Sequence, residues 1–197
     1  LHLCSHNLEN IKDVNNIDND TLLAEVCYAA KHEGASLQGY YGQHQGTNPD
    51  TKSQLCTVLA RSFADIGDII RGRDLYLGNP QEKEKRKQLD DKLKKIFEKI
   101  HSEVTSTNGK TLQKRYKDDR EKNYYQLRED WWTANRHTVW KALTCDAGQN
   151  DKYFRKTCNY EGTWSHANYK CRCKKNDGKN ETDQVPTYFD YVPQFLR

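Results

Sequence analysis

Seven cysteines carry the most distinctive chemistry in this sequence: Cys4, Cys27, Cys56, Cys145, Cys158, Cys171 and Cys173. Two strings among them, His2-x-Cys4-x-His6 and Cys171-x-Cys173, contain residue types that bind zinc. A gap of one residue strains the joint chelation of one tetrahedral ion, however, and no second pair follows at zinc-finger spacing. We therefore expect disulfides, which indicate an oxidising, extracellular environment. Because the count is odd, we expect one cysteine to find its partner outside the chain.

Two other strings resemble catalytic motifs, but each lacks a required residue. Gly109-Lys110-Thr111 matches the end of a phosphate-binding loop, yet Val104 stands where that motif needs a glycine. His32-Glu33 matches the start of a zinc-protease motif, yet Ser36 replaces its second histidine. Neither a nucleophile elbow nor a dinucleotide-binding glycine pattern occurs. We therefore expect no enzyme, no cofactor and no metal site.

The charged residues form two basic segments that suit an anionic partner. Gln81–Ile100 holds eight basic and five acidic residues, and Lys152–Lys179 holds eight basic and two acidic ones. Such patches bind sulfated glycans, anionic membranes or nucleic acid, and the extracellular cysteine usage argues against nucleic acid. A plainer alternative stays open for each segment. For the first segment, a solvated helix face is the favoured interpretation. For the second, the surface of a small disulfide-rich loop is about as good an interpretation as a binding patch.

Helical spacing and interleaved aromatic residues select the candidate binding residues in these segments. Lys85, Lys92 and Lys99 recur every seven residues and so share one face of a helix. The candidate glycan- or receptor-binding residues are Lys85, Arg86, Lys92, Lys95 and Lys99. Aromatic residues, whose faces can stack on sugar rings, interrupt the second segment. The alternative candidates there are Lys152, Arg155, Lys156, Lys170, Arg172, Lys174 and Lys175.

Hydrophobic periodicity predicts an all-α protein. The chain has 197 residues, 21 aromatic side chains (4 Trp, 12 Tyr and 5 Phe) and a mean hydropathy of −1.10, which together favour a solvated globular fold without a transmembrane helix. No methionine occurs, even at position 1, so we expect a piece of a longer protein. Four helices are predicted. The first, second and fourth cover about Thr21–Glu33, Ser53–Arg71 and Asn123–Cys145, and the third begins at Pro80 and ends between Thr105 and Gly109.

The remaining segments are predicted to be mostly irregular, because strand signals are weak throughout. Glycines and a proline predict a loop over Gly34–Asp50, with Gly34 stopping the first helix. We expect a disulfide-linked bundle of about four helices in 1–145 and a long cysteine-containing loop over Asp146–Thr187 within 146–197. Val185–Arg197 is apolar again and is predicted to open a further helix.

Helix positions also suggest which cysteines pair. Cys56 lies early in the second predicted helix and Cys145 ends the fourth, so antiparallel or crossing helices would join them. By the same logic we predict that Cys4 pairs with Cys27. Cys158 is predicted to pair with either Cys171 or Cys173.

One string is far more specific than these patterns. Residues Ala60–Gly72, ARSFADIGDIIRG, resemble the signature of Duffy-binding-like domains, specifically the alpha class of the erythrocyte membrane protein 1 adhesins of the malaria parasite Plasmodium falciparum. Four further strings follow the family order: LLAEVC from Leu22, DLYLGNP from Asp74, WWTANR with VW from Trp131, and DYVPQFLR from Asp190.

The resemblance implies a helical, disulfide-linked adhesion module on the extracellular face of the infected red cell, without enzymatic activity. The parent protein would be anchored in the membrane through parts outside this chain. The implied partners are host red-cell or endothelial receptors, or sulfated and blood-group glycans, and the implied process is rosetting or cytoadherence. The alternative is a structural spacer whose variable surface serves antigenic variation while neighbouring domains bind.

Overall fold

The computed structural model describes residues 8–11, 13–47, 54–75, 78–107, 109–116, 121–148, 151–160, 162–167, 169–173 and 185–197. The described helices are α1 (Asn19–Thr47), α2 (Leu55–Arg71), α3 (Pro80–Thr107), α4 (Gly109–Arg115) and α5 (Tyr125–Leu143). Two short strands, β1 (Lys156–Tyr160) and β2 (Thr163–His166), form an antiparallel hairpin. Helices therefore dominate the fold, as the hydrophobic periodicity predicts.

Helix α1 is about twice as long as the sequence predicts, and Gly34 does not stop it. Leu37 and Tyr41 continue the inward face past Gly34 and pack against the core. A Cβ atom at Gly34 would lie 2.0 Å from the carbonyl oxygen of Leu143, so the glycine permits close contact between α1 and α5. The predicted loop over Gly34–Asp50 is wrong as far as Thr47, because tertiary packing outweighs the low helix propensity of glycine.

Helices α2 and α3 match their predicted ranges because local signals define their ends. Gly72, with φ of 70°, takes the left-handed conformation that ends α2. Pro80 occupies the first turn of α3, and the side chain of Asn79 accepts a hydrogen bond from the Glu82 N–H at 2.8 Å. The short helix α4 lies beyond the end of α3 and was not predicted.

The core is built around aromatic side chains from α2 and α5. Phe63 of α2 lies between Trp132 and Trp140 of α5, with ring centroids 5.1 and 5.0 Å apart. All three side chains are buried. Apolar residues of α1 and α3, such as Val26 and Leu93, complete this core.

The disulfide bonds differ from the main prediction. Cys56 of α2 pairs with Cys171, not with Cys145, so the predicted Cys56–Cys145 bond is wrong. The indole N–H of Trp140 donates to the carbonyl of Cys171 at 3.2 Å, which places the segment after the hairpin beside α2. Cys158 pairs with Cys173, one of its two predicted partners. Cys4 lies outside the described residues.

Two regions outside the helices also depart from expectation. The segment predicted as irregular contains the β1–β2 hairpin. The C-terminal segment forms two 3₁₀ turns, Phe189–Tyr191 and Gln194–Leu196, in place of the predicted α-helix. Among the described helices, none is both long enough and apolar enough to cross a bilayer.

Candidate functional site

Most residues of the signature string Ala60–Gly72 are buried, whereas Arg61 is exposed and Asp65 and Gly72 are half-buried. A Cβ atom at Gly67 would lie 2.9 Å from the indole ring of Trp132, so this position holds the two helices in contact. A Cβ atom at Gly72 would lie 2.8 Å from the guanidinium of Arg128. That guanidinium is fully buried and donates hydrogen bonds to the carbonyls of Ile69 and Ile70 at 2.9 and 2.6 Å. The string therefore serves the internal packing of α2.

A buried ionic network attaches the C-terminal segment to the bundle. The carboxylate of Asp190 accepts two hydrogen bonds from Arg136, at 2.7 and 2.8 Å, and one from the indole of Trp132 at 2.9 Å. Arg71 forms an ion pair with Asp68 at 2.8 Å and donates to the backbone carbonyl of Asp190. Every carboxylate oxygen of Asp190 thus has a cationic or N–H partner.

Arg197 extends this network to α2. Its guanidinium lies 3.4 Å from the carboxylate of Asp65 and also pairs with Asp68. Burial raises the pKa of Asp65, although Arg197 acts against this shift. Burial likewise lowers the pKa of Arg197 and of Arg71. Opposite charges therefore compensate one another inside the protein, which is a structural role.

Polar residues in the signature strings of α2 and α5 bind the C-terminal segment, bind their own helix or face solvent. Arg136 and Asp65 bind the C-terminal segment through Asp190 and Arg197. Asn135 donates to the carbonyl of Trp131 within its own helix at 2.9 Å, and Arg61 is exposed. The DYVPQFLR string supplies acceptors and donors that pattern analysis of α2 and α5 alone does not reveal.

The candidate cations on α3 divide into two groups. Lys85 and Lys95 are exposed, and Lys99 is half-buried. Arg86 pairs with Asp74, and the Lys92 ammonium donates to the backbone carbonyl of Glu9 at 2.6 Å. Because Arg86 and Lys92 make contacts within the protein, the predicted row of five cations is interrupted. Lys85 and Lys95 are its exposed members.

The alternative candidates divide in the same way. Lys152, Arg155 and Lys156 are exposed around the start of the hairpin. The Lys170 ammonium donates to the carbonyl of Cys145 at 2.6 Å, and Arg172 is buried. Lys174 and Lys175 lie outside the described residues.

Two exposed aromatic side chains accompany the hairpin cations. Phe154 is 54 % exposed and Trp164 is 56 % exposed, whereas Tyr153, which precedes Phe154, is buried. The hydroxyl groups of Tyr153 and Thr187 lie 3.1 Å apart, which fixes Tyr153 inward. The sequence around Tyr153 does not indicate which of these aromatic rings is buried, because the orientation of each ring depends on how the disulfide-linked hairpin folds.

The residues that the structure describes contain no candidate metal centre. Within those ranges, no three histidine, cysteine, aspartate or glutamate side chains come close enough to share an ion. Burial raises the pKa of the Cys27 thiol to about 11, which disfavours the reactive thiolate at neutral pH. The buried polar groups described above instead hold the helices and the C-terminal segment together.

Comparison with known proteins identifies this class of domain. The model of the Duffy binding domain matches residues 1–197, and the chain therefore belongs to the Duffy binding domain family. It is 39 % identical, with a TM-score of 0.71, to the N-terminal NTS-DBL1-alpha and CIDR-gamma double domain of PfEMP1 from the Plasmodium falciparum varO strain. That match covers 99 % of this chain and 25 % of the solved chain.

Two further solved structures resemble the chain. One is the PfEMP1 IT4var13 DBLbeta domain bound to ICAM-1, with 33 % identity, a TM-score of 0.65, and coverage of 99 % of this chain and 40 % of that one. The other is a PfEMP1 DBLb domain bound to human ICAM-1, with 26 % identity, a TM-score of 0.60, and coverage of 92 % and 35 %. This chain thus spans less than half of each solved chain. No curated protein matches it significantly.

Proposed function

We propose that the chain is part of an extracellular adhesion domain of a parasite surface antigen, and that it contributes to binding a receptor on host cells. The observation that carries this proposal is the match of the Duffy binding domain along all 197 residues. Two structural neighbours that exceed 25 % identity are bound to ICAM-1, a protein receptor. Display on the infected red cell and anchoring through other parts of the parent protein complete the proposal.

The distribution of the signature residues supports binding through the outer surface. Gly67 and Arg71 are buried and serve contacts inside the fold, so they are not accessible to a receptor. Exposed side chains on α3 and around the hairpin are available for that purpose. Receptor choice can therefore vary between family members while the helix packing stays the same.

A screen for the receptor follows from these neighbours. The domain that contains this chain is tested against immobilised ICAM-1 and against sulfated, blood-group and uncharged glycans at physiological salt. Saturable binding to one of these ligands supports adhesion. Absence of binding to all of them, by a folded domain, favours the spacer whose variable surface serves antigenic variation.

Charge reversal then tests the helix α3 candidates. Lys85→Glu and Lys95→Glu change exposed cations, whereas Lys92→Glu would also break the contact with Glu9 and is not suitable. Lys141→Glu, on the exposed side of α5, is the matched control. Weaker binding in the α3 pair than in the control places the contact on α3, and equal binding excludes it.

A further inference from the structure

A pocket of about 320 Å³ opens where the end of α3, helix α4 and the start of α5 meet. Ligand pockets commonly have volumes of about 300 to 1,000 Å³ and combine aromatic walls with a few polar groups. The walls of this pocket include four ring-bearing side chains and one arginine: His101, Tyr116, Tyr124, Tyr125 and Arg115. The pocket shares no residue with the two basic segments of the sequence, so it is a separate candidate for binding.

The rings of this pocket are tilted against one another. The centroid of the His101 ring lies 6.1 Å from that of Tyr116, with an angle of 65° between the two planes. It lies 5.4 Å from the centroid of the Tyr124 ring, with an angle of 47°. The Tyr125 side chain also lines the pocket and is exposed. Tilted rings surround a space from several sides, as in the aromatic cages that bind quaternary ammonium groups.

The backbone before α5 holds one of these rings in place. Tyr124 has a φ of 56° and Lys122 has a φ of 51°, both in the left-handed region that bulky side chains rarely adopt. Strained backbone of this kind is concentrated at binding and catalytic sites. The Tyr124 side chain is buried against His101. The wall is therefore ordered before a ligand arrives, which reduces the entropy lost on binding.

A carboxylate lies next to the rings. The Tyr116 hydroxyl donates to Asp130 at 3.0 Å, and Arg115 donates to both carboxylate oxygens at 2.6 and 2.8 Å. The hydrogen bond from Arg115 lowers the pKa of Asp130, so this carboxylate is ionised at neutral pH. Partial burial raises the pKa of Tyr116, so its phenol stays neutral. Because hydrogen bonds polarise their donors, the Tyr116 ring becomes a better partner for a cation.

Arg115 adds a positive group at the rim of the pocket. It uses Nε and Nη2 to bind Asp130, so Nη1 lies on the edge of the guanidinium that points away from this carboxylate. The side chain is exposed. Arginine binds phosphate oxygens through its planar array of N–H donors. Aromatic rings and a guanidinium side by side suit a ligand that carries a cation and a phosphate in one small group.

We propose that this pocket binds phosphocholine, with the trimethylammonium group among the tyrosine rings and the phosphate against Arg115. This inference rests on the proposed adhesive function and adds a phosphocholine group of the host cell as one of its contacts. The rings attract the quaternary ammonium through their faces, and Asp130 adds an opposite charge nearby. A primary ammonium keeps a stronger hydration shell and binds such a pocket less well.

Calorimetric titration of the domain that contains this chain with phosphocholine tests the pocket. Tyr125→Leu removes a ring and is expected to weaken binding about tenfold, whereas Tyr125→Phe keeps the ring and is expected to preserve affinity. Arg115→Gln is expected to weaken phosphocholine binding but not the binding of choline, which lacks the phosphate. Tyr28→Leu and Arg61→Gln, which alter an exposed ring and an exposed arginine outside the pocket, are the matched controls.

Three outcomes would overturn the pocket assignment. The first is equal affinity of Tyr125→Leu and the wild-type domain for phosphocholine. The second is equal binding of phosphoethanolamine, which carries a primary ammonium. The third is absence of phosphocholine binding at millimolar concentration. The last two need only the wild-type domain, and a melting temperature verifies that each variant is folded.

Sedimentation with lipid vesicles distinguishes a membrane headgroup from a soluble source of phosphocholine. Vesicles of phosphatidylcholine are expected to retain the wild-type domain but not Tyr125→Leu, and vesicles of phosphatidylethanolamine are expected to retain neither. Binding of soluble phosphocholine without retention on phosphatidylcholine vesicles would support the pocket and contradict a lipid as its ligand.

A cell-binding assay separates this inference from the proposed function. If the wild-type domain binds host cells but not phosphocholine, the pocket assignment is wrong and adhesion stands. If the domain binds phosphocholine with the expected pattern of variants but binds no host cell, the pocket stands and adhesion is wrong.

Discussion

Arg136 of α5 and Asp190 of the C-terminal segment form a two-pronged ion pair, with N–O distances of 2.7 and 2.8 Å, across 54 residues of sequence. Asp190 is completely buried and also accepts the indole N–H of Trp132. Removal of a buried carboxylate leaves its cationic partner without a compensating charge inside the protein. The DYVPQFLR string is therefore an integral part of the fold.

Replacement of Asp190 tests this relationship. Asp190→Ala should lower the free energy of unfolding by about 3–5 kcal/mol, because Arg136 and Trp132 lose their acceptor. Glu84→Ala, at an exposed position of α3, should change it by less than about 0.5 kcal/mol. Urea denaturation measures both values. A loss below about 1 kcal/mol for Asp190→Ala would show that the segment is not firmly attached.

The disulfide bonds should differ in their effect on stability. The Cys56–Cys171 bond spans 115 residues and the Cys158–Cys173 bond spans 15. In the chain-entropy model, removal of the first bond lowers the free energy of unfolding by about 4–5 kcal/mol, and removal of the second lowers it by about 3 kcal/mol. The comparison uses two double variants, Cys56→Ser with Cys171→Ser and Cys158→Ser with Cys173→Ser. A peptide map that joins Cys56 to Cys145 contradicts the pairing itself.

Glycine positions offer a matched pair of substitutions. Gly67→Ala places a methyl group 2.9 Å from the Trp132 ring and should cost about 1–3 kcal/mol through overpacking. Gly39→Ala, in an open part of α1, should instead stabilise the protein by about 0.5–1 kcal/mol. Thermal unfolding distinguishes the two. Equal effects would indicate that α2 and α5 do not meet at Gly67.

Two tryptophans provide a similar contrast. Trp140 is 1 % exposed and donates to the Cys171 carbonyl, so Trp140→Ala should cost about 3–5 kcal/mol. Trp164→Ala, on the exposed hairpin face, should cost less than about 1 kcal/mol. Chemical denaturation of both variants provides the comparison. If Trp164→Ala proves the more damaging change, the hairpin face is wrongly oriented.

Local signals explain why some elements are predictable from the sequence. Asn79 and Pro80 define the start of α3, and Gly72 defines the end of α2. The buried positions of Phe63 and Trp140 likewise follow from helical periodicity. These features depend on neighbours along the chain.

Other features depend on contacts between distant residues. Glycine commonly ends helices, but at Gly34 it is needed within α1, because the carbonyl of Leu143 occupies the space that a side chain would fill. The pairing of Cys56 follows from the position of Cys171 beside Trp140, and cysteine spacing does not specify this. Likewise, α3 periodicity does not reveal that Glu9 binds Lys92. Such contacts arise only when the chain is folded.

The most direct measurement of the adhesive role is the binding of fluorescently labelled domain to intact human red cells and to endothelial cells that display ICAM-1, at physiological salt. The account predicts saturable binding to at least one cell type, with unlabelled domain displacing the labelled protein. A folded domain with the correct disulfides that binds neither cell type at micromolar concentration would contradict adhesion and support the role of a spacer.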